Sequence, residues 1–161
     1  MTTNRHRRIR GVALIVINPS GHIMVLQELE DKPHLGKYAG MWSIPMETLE
    51  PSETHYAGLR RLMTEELPGL RVEHLSLDCA PIGCYRIAAQ VWVTLYVARA
   101  STFDLPKPNG DREVGQHEWV PIAEGLNRWL RRGAAEMIED YADRYSQVRR
   151  TACRNINRPS S

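Results

Sequence analysis

Several familiar chemistries have no footing in this sequence. Cys79, Cys84 and Cys153 are odd in number and lack metal-finger spacing, which argues against a zinc finger or a fully paired disulfide framework. Cys79 and Cys84 can pair only if the intervening turn brings them together; free thiols in a reducing cytoplasm are the simpler expectation. No run of about 18 apolar residues is present, so no transmembrane helix is expected. The apolar stretch after the basic N-terminus is short and lacks a small-residue cleavage site, so it reads as a strand and not a signal peptide. No glycine-rich phosphate loop, dinucleotide fingerprint or Ser/His/Asp order follows a strand, which removes those nucleotide-binding and nucleophilic chemistries. There is no internal repeat and no linker. A net charge of only +2 leaves the molecule as a whole without the potential of a nucleic-acid glove.

What remains is ordinary globular material: 161 residues, 42% hydrophobic and 25% charged, enough for one domain with a real core. We expect a single domain over 1–161 with short basic tails at about 1–8 and 149–161. Arg5, Arg7 and Arg8 crowd one end; Arg149, Arg150, Arg154 and Arg158 crowd the other. These runs are solvated tails, a dimer arm or a phosphate-attracting surface, the last of which would bind in a salt-dependent way.

Ile9–Ile17 is β-branched and dense enough for a strand buried on both faces. Asn18-Pro-Ser-Gly21 is a turn, and His22–Glu28 completes a hairpin. A polar loop over about 29–41 leads to a short extended piece, Met41–Ile44. Pro51-Ser52 reads as a helix start with Ser52 as N-cap. Tyr56, Leu59, Met63 and Leu67 form the buried stripe, and Pro68-Gly69 is the stop. Beyond lie a strand over Leu70–Leu77, a long central strand over Tyr85–Ala98, and a loop over Asp104–Asp111. A short strand over 117–121 precedes two helices near 122–131 and 133–148. This order departs from regular βαβα alternation and predicts an α/β fold with a mixed sheet (α+β connectivity) between helices.

Chemistry concentrates where the first helix ends. At about 100° per residue, Glu66 falls close to Leu59 on the apolar stripe, where a carboxylate is desolvated and needs a cation, a donor or a proton. Glu65 points off the stripe and either reaches the same cavity from its rim or faces water. Adjacent acids with Arg61 one turn earlier make a plausible seat for a hard cation.

The same segment carries a family pattern. Glu53, seven residues, then Arg61, Met63, Glu65 and Glu66, with Trp42 and Pro45 leading in, resembles the box of the Nudix hydrolases, G-x5-E-x7-R-E-U-x-E-E-x-G-U. Glu47 stands where the family has glycine, Leu62 where it has the first glutamate of the second half, and Pro68-Gly69 where it has glycine alone. The resemblance implies a Nudix-like α/β/α sandwich and Mg²⁺ or Mn²⁺ bridging phosphate oxygens and activating water. It implies a nucleoside diphosphate-linked or other nucleotide substrate cleaved slowly because one acid is missing. Glu65 and Glu66 are then metal ligands, with Glu47 as compensating acid and Glu53 beside the metal or paired with Arg61. Glu66, Arg61 and Glu113 are catalytic candidates, with Glu118 a further candidate acid beside Glu113; Glu28 and Glu50 are weaker substitutes. Lys37, Tyr38 and Trp42 border the substrate pocket, with His34 in the same loop. A homodimer is also expected of such a domain. The alternative is a catalytically silent module that binds a nucleotide-like ligand or a protein, with Glu66 paired to Arg60, Arg61 or another cation. A diphosphate isomerase is a third option, without a catalytic cysteine motif to support it.

Overall fold

In the computed structural model, residues 7–73, 81–107 and 114–144 are described. Eight strands among them form one mixed sheet. The strands are β1 (Ile9–Ile17), β2 (Ile23–Glu28), β3 (Trp42–Ser43), β4 (Met46–Thr48), β5 (Val72–Glu73), β6 (Gly83–Ala88), β7 (Val91–Ala100) and β8 (Val114–Val120). The helices are α1 (His55–Glu66), α2 (Ile122–Leu126) and α3, helical over 134–144.

β1 is the spine. It runs parallel to β7 along its whole length and antiparallel to β2 and β4 on its other edge. Its residues alternate between two cores, as the period-2 geometry of a strand requires. Ala13, Ile15 and Ile17 face a cluster with Ala134, Met137 and Ile138 of α3. Val12, Leu14 and Val16 face Leu59, Leu62 and Leu67 of the α1 region. A strand covered on both faces reads as a continuous apolar run, which is how Ile9–Ile17 appears in the sequence.

The sequence expectations need correction in several places. The N-cap of α1 is Thr54, whose side chain accepts from the Ala57 N–H at 3.1 Å, and not Ser52. Tyr56 is exposed and stacks under Arg60; Leu62 takes its place in the buried stripe. The long strand over Tyr85–Ala98 is two strands, joined at Ala89-Gln90, a turn without the glycine or asparagine that would announce it. The helix near 122–131 stops at Leu126, because Leu130 forms a parallel bridge with Trp42 and the backbones exchange Trp42 N to Trp129 O and Arg131 N to Trp42 O, both 2.7 Å. β4 was not expected at all. Cys79, Cys153 and Glu113 lie outside the described residues, as do Arg5 and the arginines of the C-terminal tail.

Candidate functional site

Two crossings build the site. α1 packs over β1 and β4, so its C-terminal turn sits above the backbone of Met46 and Glu47. The loop after β2 and the turn before α3 meet opposite it. There lies a cavity of about 230 Å³ whose lining includes the acids Glu47, Glu65 and Glu66 and the cations Lys32, Lys37 and Arg131.

Glu66 is the most unusual group. One oxygen accepts the Met46 N–H at 3.1 Å. Burial, then the neighbouring charges of Glu28 and Glu47, hold its pKa well above the ordinary carboxylate value; the Met46 hydrogen bond and distant attraction to Arg131 only partly offset them. The arginines expected as alternative partners are spent elsewhere: Arg60 lies over Tyr56, and Arg61 grips other acids. The carbonyl of Glu66 is met by His117 Nε2 at 2.7 Å, so β8 pins the end of α1.

Arg61 is the hub of the acidic wall. Its Nε and Nη2 hold the two oxygens of Glu53 at 3.1 and 2.7 Å, Nη2 also reaches the Thr48 carbonyl at 2.7 Å, and Nη1 meets Glu47 at 2.9 Å and Glu65 at 3.7 Å. Glu53 spends its carboxylate on that fork and on the Glu50 N–H at 3.1 Å, which makes it the holder of Arg61. Burial pushes Glu47 up to about 7 against the pull of Arg61.

On the cationic wall, Glu28, Lys37 and Arg131 are all buried, with relative exposures of 3%, 5% and 6%. Glu28 joins Lys37 Nζ at 3.1 Å and Arg131 Nη1 at 3.4 Å, and Arg131 is anchored on the Leu35 carbonyl at 2.9 Å. An isolated buried carboxylate is costly, and two cations supply the compensation.

The remaining expectations separate by position. Lys37 lines the cavity; Tyr38 is exposed outside it. Trp42 lies under Arg128, whose guanidinium carbon is 4.4 Å from the ring centre, and does not border the cavity. Glu118 is paired with Arg128 at 2.5 Å. Leu62, left out of the expected stripe, is fully buried in the core under α1. Sequence reasoning missed Arg131, which no local pattern ties to Leu35, 96 positions away. It also missed Gly11, whose isolation in a β-branched strand is a signal of close backbone approach: a Cβ there would meet the Glu47 carbonyl oxygen at 3.0 Å.

A family profile for the NUDIX domain matches residues 7–141. The chain belongs to the NUDIX domain family. Nudix hydrolase 5 of Arabidopsis thaliana is 27% identical over 127 residues, covering 78% of this chain and 40% of that protein, so the chain spans well under half of that relative. A NUDIX hydrolase from Nitrosomonas europaea superposes with a TM-score of 0.65 at 19% identity, covering 85% of this chain and 90% of the other. An ADP-ribose pyrophosphatase from Streptococcus suis gives 0.60 at 16% identity, covering 83% and 88%. At those identities the structures establish the Nudix fold; the box and the cavity must speak for chemistry. Among the described residues no helix is long and apolar enough to cross a membrane.

Whether this Nudix site suits a divalent ion is a question of donors. No three acidic, imidazole or thiol side chains converge as a metal cage among the described residues. Mg²⁺ does not ask for one, since it is commonly held by one or two carboxylates with phosphate oxygens completing its shell. Glu47 and Glu66 meet that smaller requirement: both are held above the ordinary carboxylate value by burial, with like charge from Glu47 adding at Glu66. A cation between them would relieve both.

Proposed function

We propose that this Nudix domain is an attenuated pyrophosphohydrolase of nucleoside diphosphate derivatives, of the ADP-ribose kind, dependent on Mg²⁺ or Mn²⁺. The observation that carries the reading is a single cavity lined both by the acid-crowded Glu66 and by the buried cations Lys37 and Arg131. A diphosphate suits such a lining. Its oxygens meet Lys37 and Arg131, and the acids require a cation before they can approach it.

Glu66 and Glu47 would hold the ion, with Glu65 at the rim. Bound there, a divalent ion offsets phosphate charge and lowers the pKa of a water molecule. The Met46 N–H fixes one oxygen of Glu66, leaving Oε1 to the ligand. Arg61, braced by Glu53, keeps Glu47 turned inward. Lys37 and Arg131 orient the diphosphate and stabilise charge that develops on it. With leucine at position 62, one acid of the family pattern is absent, and slow turnover is the expected consequence. The ADP-ribose class is favoured by the activity in the name of the Streptococcus suis neighbour.

Incubating the protein with Mg²⁺ and ADP-ribose should release AMP and ribose 5-phosphate, one water being consumed per anhydride broken. Glu66→Gln should lower the rate at least about 100-fold, a loss typical of removing a group that acts in the transition state, while leaving the thermal transition intact. Absence of turnover by the unaltered protein with any nucleoside diphosphate derivative and either metal would refute the hydrolase. Leu62 supports a second reading, a silent domain that binds such a ligand without cleaving it. Metal-independent binding without product is its signature.

A further inference from the structure

A second cavity of about 580 Å³ adjoins the first along the N-terminal edge of β1, and the two share Leu35 and Thr48 in their walls. Arg7, Arg8, Arg10 and His34 line it against a single acid, Glu50. Among the described residues none of these three arginines forms an ion pair. Arg8 lies over Trp92, its guanidinium carbon 4.4 Å from the ring centre, and Arg10 reaches the Glu53 carbonyl at 3.4 Å. Both are positioned without being neutralised. Unneutralised guanidinium groups around a cleft attract phosphate, which they bind through paired N–H donors.

The first cavity is large enough for a diphosphate but not for the rest of a nucleotide, and the second has the size of an ordinary ligand pocket. A ligand spanning both passes Thr48, one residue from Glu47, and enters the arginine cleft. We infer that the substrate carries a further phosphate beyond the anhydride that is cleaved, seated by Arg7, Arg8 and Arg10. This inference rests on the pyrophosphohydrolase reading. The further phosphate has two chemical sources, a phosphorylated ribose hydroxyl or a longer phosphate chain.

Calorimetric binding with Ca²⁺ in place of Mg²⁺, followed by hydrolysis with Mg²⁺, should compare three compounds: ADP-ribose, its ribose 2′-phosphate derivative, and diadenosine tetraphosphate. The unaltered protein should bind at least one of the latter two at least tenfold more tightly than ADP-ribose. That gain should shrink below threefold in Arg7→Gln/Arg8→Gln and separately in Arg10→Gln, and with rising salt. A gain for the 2′-phosphate compound alone assigns the ribose source; a gain for the tetraphosphate alone assigns the longer chain. If ADP-ribose binds or is cleaved and neither phosphorylated compound gains, this inference falls while the function stands. Survival of the gain in both variants also overturns it. If none of the three binds or turns over, the functional reading fails and takes this one with it.

Discussion

Arg61 gathers Glu53, Glu47 and Glu65 into one wall, and so turns three like charges into a usable arrangement. Its guanidinium is worth more here than a lysine would be, because it serves several acceptors in fixed directions. Leu62 shows the opposite limit. Restoring the family's glutamate at that position looks attractive in the sequence, but the side chain is fully buried among Leu59, Leu67 and Leu14. Leu62→Glu should therefore cost about 3–5 kcal/mol, the range for an unpaired charge or polar group placed in a core. Urea denaturation at pH 8 is the measurement; a variant that stays within about 1 kcal/mol and gains turnover would show that the site can reach position 62. At this scale much was legible in advance. Helical angles alone placed Glu66 close to the apolar stripe, and it is half-buried there, with burial the largest cause raising its pKa. The stripe left out Leu62 and took in Tyr56 in its place, whereas Met63 does pack against the core. The exposed Tyr56 satisfies its ring against Arg60 instead.

At the scale of elements, the approach of β4 to β1 decides where Glu47 sits. Gly11 pairs with Thr48, and Val12 with Glu47. A methyl group at Gly11 would press on the Glu47 carbonyl at 3.0 Å and on Val93 Cγ2 at 3.2 Å. Gly11→Ala should shift β4 by a few tenths of an ångström. We expect a stability loss of about 1 kcal/mol, as in mild overpacking. The accompanying fall of roughly tenfold in kcat/KM follows from the sensitivity of reaction rates to misplacement. Comparing kcat/KM with the thermal transition separates the two effects, and equal turnover in the variant would remove Glu47 from the site. β1, the β2 hairpin and α1 could be read from composition and periodicity, since each is long and patterned by local packing. β3, two residues long, lies inside the extended piece expected over Met41–Ile44, but its partners and the whole of the three-residue β4 could not be read. Their pairing is specified by β1 and β2, many residues away, and leaves no periodicity of its own.

For the whole molecule, the acid wall makes stability depend on pH and metal together. Glu47 and Glu66 have folded pKa values above those of an unfolded chain, so folding favours their protonated forms. The contribution of Glu47 is complete below the ordinary carboxylate pKa of about 4.3 and is lost as pH climbs toward 7; that of Glu66 is lost in the same direction as pH rises. In EDTA, unfolding free energy should drop between pH 5 and 8 by an extra 1–2 kcal/mol or so relative to Glu47→Gln/Glu66→Gln, allowing for solvent screening. The comparison matters because His55 and His117, both depressed chiefly by burial, bend the curve the other way in acid. Millimolar Mg²⁺ should flatten the difference; identical slopes in EDTA would contradict the assignment. Of the cavity's buried cations Lys37 was named in advance, but Arg131 and the pairing of both with Glu28 were not, because they meet only once the chain has closed.

That closure has a practical corollary. Arg131 comes from the turn before the last helix and is latched to Leu35, near the opposite end of the chain. The box is therefore not a portable cassette: grafted into another scaffold, or expressed without residues beyond 130, it would bring its repelling carboxylates but not the counter-charges that make them tolerable.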